Sequence, residues 1–295
     1  MRIGVTGATG FVGRHLVNRL LTDGHQVTAL VHRIVDDNLF VKRPTFRQGS
    51  VENTSDLENA FEGTEVVCHL VGLIAETRTR TFEGTVAQGT ANVVQACQKT
   101  GVRRIIYLSA VGASAEAPSK YHRSKHRAEQ AVVNSGREYI ILRPSVIYGP
   151  GDGFVSLLDR LLKYSPVTLV IGSGRYMLQP IYIDDVVEIM VRSLASIEAA
   201  NRIIEIGGPE KLEYLEILNI IKAVTGRRRV NFHVPTPFMK LTTRLLEALV
   251  KPAPITRDQL IMMEMGNVLD TTEMIQLFPV RPMTMAEGLK KYMRK

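Results

Sequence analysis

Tyr121, His122, Arg123, Ser124 and Lys125 put a phenol and an ammonium four residues apart in a segment of helical pattern, so the two side chains project from one face as neighbours. A phenol normally loses its proton near pH ~10. A nearby lysine charge favours the phenolate at neutral pH, and Tyr121 is then expected to act as a general base. Ser109 follows the apolar run 105–108, where its hydroxyl can hydrogen-bond a reacting oxygen. The same Tyr–Lys spacing also occurs on plain solvated helix faces, so these residues need a second feature beside them.

That feature is the stretch Thr6, Gly7, Ala8, Thr9, Gly10, Phe11, Val12 and Gly13, directly after the apolar run 3–5. Gly7 suits a tight turn, Gly10 lets main-chain amides approach a pyrophosphate, and Gly13 lets a helix pack closely on the strand. The unpaired N–H groups and positive dipole end of that helix attract a diphosphate. Phe11, Val12, Leu16, Leu20 and Leu21 recur at helical spacing to bury its other face.

The elements that must position these residues alternate in type. Strand-like runs at 26–31, 65–71, 104–108 and 139–142 are separated by amphipathic segments at about 55–61, 82–99 and 120–134, with Gly63, Gly101 and Gly136 as stop signals. Such alternation predicts an α/β fold built on a doubly wound parallel sheet. Ligands in these sheets lie beyond the carboxyl ends of the strands, where the glycine turn, Arg33, Gly72 and Ser109 all fall. After Pro144 the pattern loosens, and a substrate part begins. The helix 184–194 and strand 202–206 are expected to return to the nucleotide domain, giving 1–150 plus about 180–207 for that domain and about 151–179 plus 208–295 for a smaller, interleaved C-terminal substrate domain.

A chain of 295 residues can bury a sizeable core. The most apolar stretch, 66–75, is half the length needed to span a bilayer and contains His69, so no membrane crossing is expected. The amino terminus enters its first strand without an export signal, which makes the cytoplasm the expected location. Cys68 and Cys97 are too few for a disulfide framework, lack metal-ligand spacing and read as buried packing residues; no metal site is expected. The net charge of +8 fits an anionic cofactor and solubility. The basic runs 227–229 and 290–295 lack the interleaved aromatics of a nucleic-acid platform, so no nucleic acid is expected as partner.

The glycine turn, the Tyr121/Lys125 pair and Arg143, Pro144, Ser145, Val146, Ile147, Tyr148, Gly149 and Pro150 together resemble an extended or atypical short-chain dehydrogenase/reductase, of the NAD-dependent epimerase/dehydratase superfamily. Segments 180–186 and 205–209 are similar as well, so the resemblance runs nearly end to end and implies a Rossmann sheet. Within it, 108–113, 256–260 and 266–268 resemble the branch containing the nucleotide-binding accessory subunit of respiratory NADH:ubiquinone oxidoreductase and its bacterial relatives. The resemblance gives Ser109, Tyr121 and Lys125 the family's roles: oxygen polarisation, proton transfer, and ribose orientation with tuning of the tyrosine. It implies hydride transfer to or from a small carbonyl, hydroxyl or sugar-nucleotide-like substrate. The alternative is a non-catalytic, NADPH-bound structural or assembly factor for a membrane-associated complex, and fold alone does not choose between them.

An NAD-binding turn usually has an acid at the end of the second strand; this chain has Val31, His32 and Arg33 there. Arg33 can pair with a 2′-phosphate and Arg14 can add a second charge, which favours NADP(H) over NAD(H), although Asp36 and Asp37 follow closely. Ser50 and Val51 stand where related chains commonly carry Gly-Asp near the adenine. Val71 and Gly72 resemble the segment lining the ribose and nicotinamide side, and Pro144 and Val146 resemble nicotinamide contacts. Tyr148, Gln179 and Tyr182 are expected in the substrate cleft, with Arg175 suited to a diphosphate. Phe238, Leu241, Leu245, Leu246 and Leu249 form an apolar stripe flanked by Lys240, Arg244 and Lys251. It either packs on its own domain or makes a peripheral contact with the inner face of a membrane or a quinone-like lipid. By analogy with the family, helices 82–99 and 120–134 are where a homodimer would form.

Overall fold

The computed structural model describes residues 1–33, 37–249 and 256–293; Asp36, Lys251 and the last two basic residues of the tail lie outside them, as do the side chains of Leu241, Leu245, Leu246 and Leu249. The chain runs β1 (Arg2–Thr6), α1 (Phe11–Thr22), β2 (Gln26–Val31), β3 (Thr45–Gln48), α2 (Thr54–Phe61), β4 (Val66–His69), a π-helical segment Phe82–Gln88 leading into α3 (Gly89–Thr100), β5 (Arg104–Leu108), α4 (Lys120–Val133) and β6 (Glu138–Pro144). It continues through β7 (Ile147–Tyr148), α5 (Val155–Tyr164), β8 (Val167–Ile171), β9 (Met177–Leu178), β10 (Ile181–Tyr182), α6 (Ile183–Ser193) and β11 (Arg202–Ile206). The last part holds β12 (Leu212–Glu213), α7 (Tyr214–Thr225), β13 (Val230–Val234), α8 (Thr236–Leu249), α9 (Arg257–Met265), α10 (Thr272–Leu277) and α11 (Met285–Tyr292).

Seven strands form one sheet in the order β11-β6-β5-β4-β1-β2-β3, the doubly wound parallel arrangement expected from the alternating pattern. The pairings from β3 through β6 are parallel, with Val5 opposite Ala29 on one side and Cys68 on the other. Strand order reverses between β1 and β4, so the carboxyl ends of these two strands flank the crevice where such sheets take ligands. β4 and β5 are buried along their whole length, as strands covered on both faces must be. Cys68 and Cys97 are free and buried in this core.

Two local features depart from the sequence reading. The helix expected over 82–99 is π-wound from Phe82 to Gln88 before becoming α-helical. Gly84 and Gly89 weaken helical preference there, and Gly89 lies against Val51, where a Cβ would come within 2.9 Å of a methyl group. The edge strand β3 has a largely exposed face on both sides, so no alternation marks it.

The chain divides into two compact units: Met1–Arg143, Val187–Glu205 and Thr272–Val280 in the first; Pro144–Val186, Ile206–Thr271 and Arg281–Lys295 in the second. The expected boundaries differ at 144–150, 180–186 and 206–207, which belong to the second unit, and at 272–280, which belongs to the first. There the Arg202–Glu273 ion pair at 2.9 Å and buried Met274 and Phe278 tie α10 in. In the second unit Tyr148 and Tyr182 pack at 5.4 Å and Tyr182 stacks on Tyr292 at 6.4 Å, while β13 pairs with β8 in parallel. Among the described residues no helix is long and apolar enough to cross a membrane.

The join between β1 and α1 is tightly packed. Gly7 has φ +73°, and a Cβ on Gly13 would lie 2.1 Å from the Gly7 carbonyl oxygen. Gly13→Ala must push backbone from backbone and is expected to cost roughly 1–3 kcal/mol in urea unfolding. Gly153→Ala, which meets nothing within 4 Å, should be neutral or slightly stabilising.

Candidate dinucleotide and catalytic site

The glycine turn crosses the top of the crevice. The Gly10 amide donates to Gly7 O at 3.0 Å, and Ala8 is fully buried beneath the turn while Thr9 and Gly10 are exposed. No side chain caps α1 and no acid lies in its first turn, so the amides of Phe11, Val12 and Gly13 present their partial positive charge outward. Residues 70–71 come up against the turn: a Cβ on Gly7 would sit 3.0 Å from the Leu70 carbonyl carbon and 3.1 Å from the Val71 nitrogen. Such a cradle of bare amides walled by glycines fits a diphosphate.

Below it a polar chain joins the two strands at the reversal. Thr6 Oγ1 and His69 Nδ1 are 2.6 Å apart, and His69 Nε2 lies 2.9 Å from Thr90 Oγ1. The Thr90 hydroxyl donates to Val86 O at 2.6 Å, so it must accept from Nε2–H, and Thr6 must donate to Nδ1. Burial, reinforced by the Lys125 charge, pulls His69 down to about 3, so it is a neutral strut.

α4 begins at Ser119, whose hydroxyl accepts from the His122 amide at 3.3 Å. One turn in, Lys125 is 2 % exposed and its Nζ donates to Leu108 O at 2.8 Å, beside Ser109. The ammonium also sits 4.8 Å from the Tyr107 ring centre, and a Cβ on Gly72 would come within 3.5 Å of it. The structure therefore gathers Gly72, Ser109 and Lys125 at the carboxyl ends of β4 and β5. The Ser109 hydroxyl is buried with no hydrogen-bond partner among the described residues, an orphan donor for which a ligand oxygen is a natural partner.

Tyr121 stands on the same face of α4, half-buried, with the Phe82 ring edge-on at 5.8 Å. The expectation that Lys125 lowers its pKa is not met in the protein alone. Burial pushes the Tyr121 phenol up to about 12 and draws Lys125 down to about 7, because the low-dielectric wall penalises each charged form more than the neighbours compensate. At neutral pH Tyr121 is a proton donor.

Near the end of β2, His32 and Arg33 are exposed. Partial burial of the ring and the Arg80 charge, opposed by Glu52, hold His32 below its usual value, which brings Arg80 and Glu52 to this end of the site, residues that nothing in their spacing announces. The Arg33 guanidinium has no ion pair among the described residues, whereas Arg14 lies 6.0 Å from the Phe11 ring centre. Ser50 donates its amide to Asp56 Oδ2 at 3.0 Å, and Val51 is buried against Gly89, so Val51 packs the interior.

In the second unit Pro144 is buried, and Val146 O accepts from the Ile181 amide at 2.9 Å. Three of the expected cleft residues have structural surroundings. Tyr148 is fully buried with its hydroxyl donating to Thr284 O at 3.2 Å. Gln179 spends both amide atoms on backbone, donating to Gly208 O at 2.9 Å and accepting from Leu269 N at 3.0 Å. Tyr182 is 3 % exposed between two other tyrosines. Arg175 is exposed.

Sequence reasoning missed Glu129. It is fully buried on α4, one turn beyond Lys125, and accepts two hydrogen bonds from Arg143, Nε at 2.8 Å and Nη2 at 2.6 Å. An acid four residues after Lys125 was the available signal.

Residues 3–207 match the family model described as the NAD dependent epimerase/dehydratase family. The chain is 30% identical over 237 residues to the mouse NADH dehydrogenase [ubiquinone] 1 alpha subcomplex subunit 9, mitochondrial, covering 78% of this chain and 63% of that protein. It is 36% identical over 179 residues to a ceramide reductase of Caulobacter vibrioides, covering 58% of this chain and 54% of that one. The chain thus spans less than two thirds of the length of either relative. In fold it is similar to a UDP-glucose 4-epimerase of Thermus thermophilus crystallised with NAD, with a TM-score of 0.75, 21% identity and coverage of 98% of this chain and 97% of that one. The glycine turn, the sheet that carries it and the match over 3–207 together establish that the chain belongs to the NAD dependent epimerase/dehydratase family.

Proposed function

We propose that the first unit holds a pyridine dinucleotide, its diphosphate on the amides of Phe11, Val12 and Gly13, and that Ser109, Tyr121 and Lys125 serve reduction of a carbonyl group to an alcohol. The observation that carries this reading is the Ser109 hydroxyl, buried and without a hydrogen-bond partner among the described residues, placed beside the Lys125 ammonium at the ends of β4 and β5. The nucleotide, when bound, supplies the hydride. The chain's own residues supply the rest. Ser109 donates a hydrogen bond to the carbonyl oxygen, where negative charge develops, and Tyr121, protonated at neutral pH, gives that oxygen its proton. Of the three Lys125 N–H bonds, one is held by Leu108 O, leaving two for ribose hydroxyls.

Arg33 and Arg80 at the end of β2, with no acid in β2 itself, support NADP(H) over NAD(H). A second reading, a cofactor-bound accessory protein of a membrane-associated complex, draws on the 30% identity to the mouse subunit. It also draws on a cavity of about 470 Å³ between α8 and α9, where Arg244, with Lys240 paired to Glu264 at 3.0 Å and Arg257 paired to Glu247 at 2.7 Å, rims Leu260 and Ile261 and Phe238 is 59% exposed nearby in sequence. That surface suits an anionic lipid headgroup with its acyl chain.

Tyr121→Phe should lower kcat for carbonyl reduction about 100-fold or more while nucleotide affinity is kept. Unchanged turnover across a panel of carbonyl substrates would remove the catalytic role. Calorimetry should find NADPH bound more tightly than NADH, with Arg33→Ala weakening NADPH about tenfold and leaving NADH nearly unaltered; equal affinities in the wild type defeat the preference. Stoichiometric retention of NADPH that no carbonyl compound oxidises, together with sedimentation on anionic liposomes, decides for the second reading, and a protein that stays in the supernatant has no lipid contact.

A further inference from the structure

Tyr121, Lys125 and Glu129 stand at successive turns on one face of α4, and Arg143, at the end of β6, grips Glu129 with two hydrogen bonds. Lys125 and Glu129 are both buried, 2 % and 0 % exposed, and four-residue spacing brings their Cβ atoms to about 5–6 Å. A buried carboxylate is retained only when paired, and here the partner is a guanidinium whose planar fork fixes the carboxylate in one orientation. The wall around the Lys125 ammonium is otherwise poor in negative charge. On β4 it faces His69, which is neutral; on β5 it faces the Tyr107 phenol and the Leu108 carbonyl; on α4 it has the Tyr121 phenol one turn before it. Glu205 faces Arg143 from β11. Without Glu129, two cations, Lys125 and Arg143, would share one interior.

We propose that Glu129, locked by Arg143, is a positioning residue that favours the ammonium form of Lys125, and so sets the pH range over which the site offers its full set of donors to the nucleotide ribose. The assignment rests on the reading of the site given above. Its physical content is simple: an ammonium has three N–H bonds, an amine two and a lone pair, so deprotonation of Lys125 removes one of the donors left after Leu108 O is satisfied. Glu129 opposes the burial that draws Lys125 down to about 7, so its loss must move the titration further down. Affinity for the nucleotide is then full below the Lys125 midpoint and falls as pH rises through it.

The test is a titration of the full chain labelled with ¹³C-lysine, following the Lys125 ¹³Cε signal, identified by its disappearance in Lys125→Arg. Glu129→Gln should lower the Lys125 midpoint by about one pH unit. Glu129→Gln combined with Arg143→Gln removes the guanidinium that the single variant would leave without its carboxylate, keeps the fold if the single variant does not, and should lower the midpoint by a smaller amount. A loss of thermal stability with the midpoint unmoved in both variants overturns the proposal, since a purely structural pair would behave that way. NADPH affinity measured on the same samples separates the two readings. A shifted midpoint with neither NADPH nor NADH bound at any pH sinks the proposed function alone, and NADPH binding with an unshifted midpoint sinks the role of Glu129 alone.

Discussion

Where β1 ends, the chain has almost no room. β1 is flanked by β2 and β4, so its exit must pass between their carboxyl ends and turn at once into α1. Gly7 takes a left-handed backbone, and Gly13 brings the helix so near that a single methyl group would strike the Gly7 carbonyl. That steric constraint fixes the α1 N-terminus over the strand-order reversal, with its amides uncapped and pointing into the crevice. The position of every other group in the first unit is measured from that corner: residues 70–71 abut the turn, His69 braces β4 to β1 through Thr6, and Lys125 reaches the end of β5 next to Gly72.

The site so assembled is strongly desolvated. Burial outweighs the local charges for Lys125, Tyr121 and His69 alike, so the protein by itself favours a neutral phenol, a neutral imidazole and a lysine close to losing its proton. In such surroundings a few fixed charges matter more than they would at the surface. The Glu129–Arg143 pair is one; the helix-end amides are another. Family membership is compatible with both chemistry and a purely structural nucleotide, because the same corner geometry is needed merely to hold the diphosphate.

The second unit shows the opposite economy. Its polar groups are largely consumed in holding it together: Gln179 ties two backbone segments, Tyr148 is anchored to Thr284 O, and Asp152 accepts from the Gly149 and Val155 amides. Residue type alone made tyrosine and glutamine look like substrate ligands. Their surroundings make them internal fasteners, and the exposed Arg175 is the one expected contact that keeps its charge in solvent.

By itself the sequence determined the parallel sheet, the glycine corner and the Tyr121–Lys125 face, because these depend on local periodicity and on steric freedom that only glycine has. It also carried the family through motifs spread from residue 6 to residue 209. The short edge strand β3, the π-helical turn at Phe82–Gln88 and the partners of Glu129, Tyr148 and Gln179 were decided by tertiary structure. Protonation was decided there too: neighbours in sequence suggested an acidified phenol, but the free energy of a charge depends on how much water surrounds it, and water is excluded by elements that lie far apart along the chain.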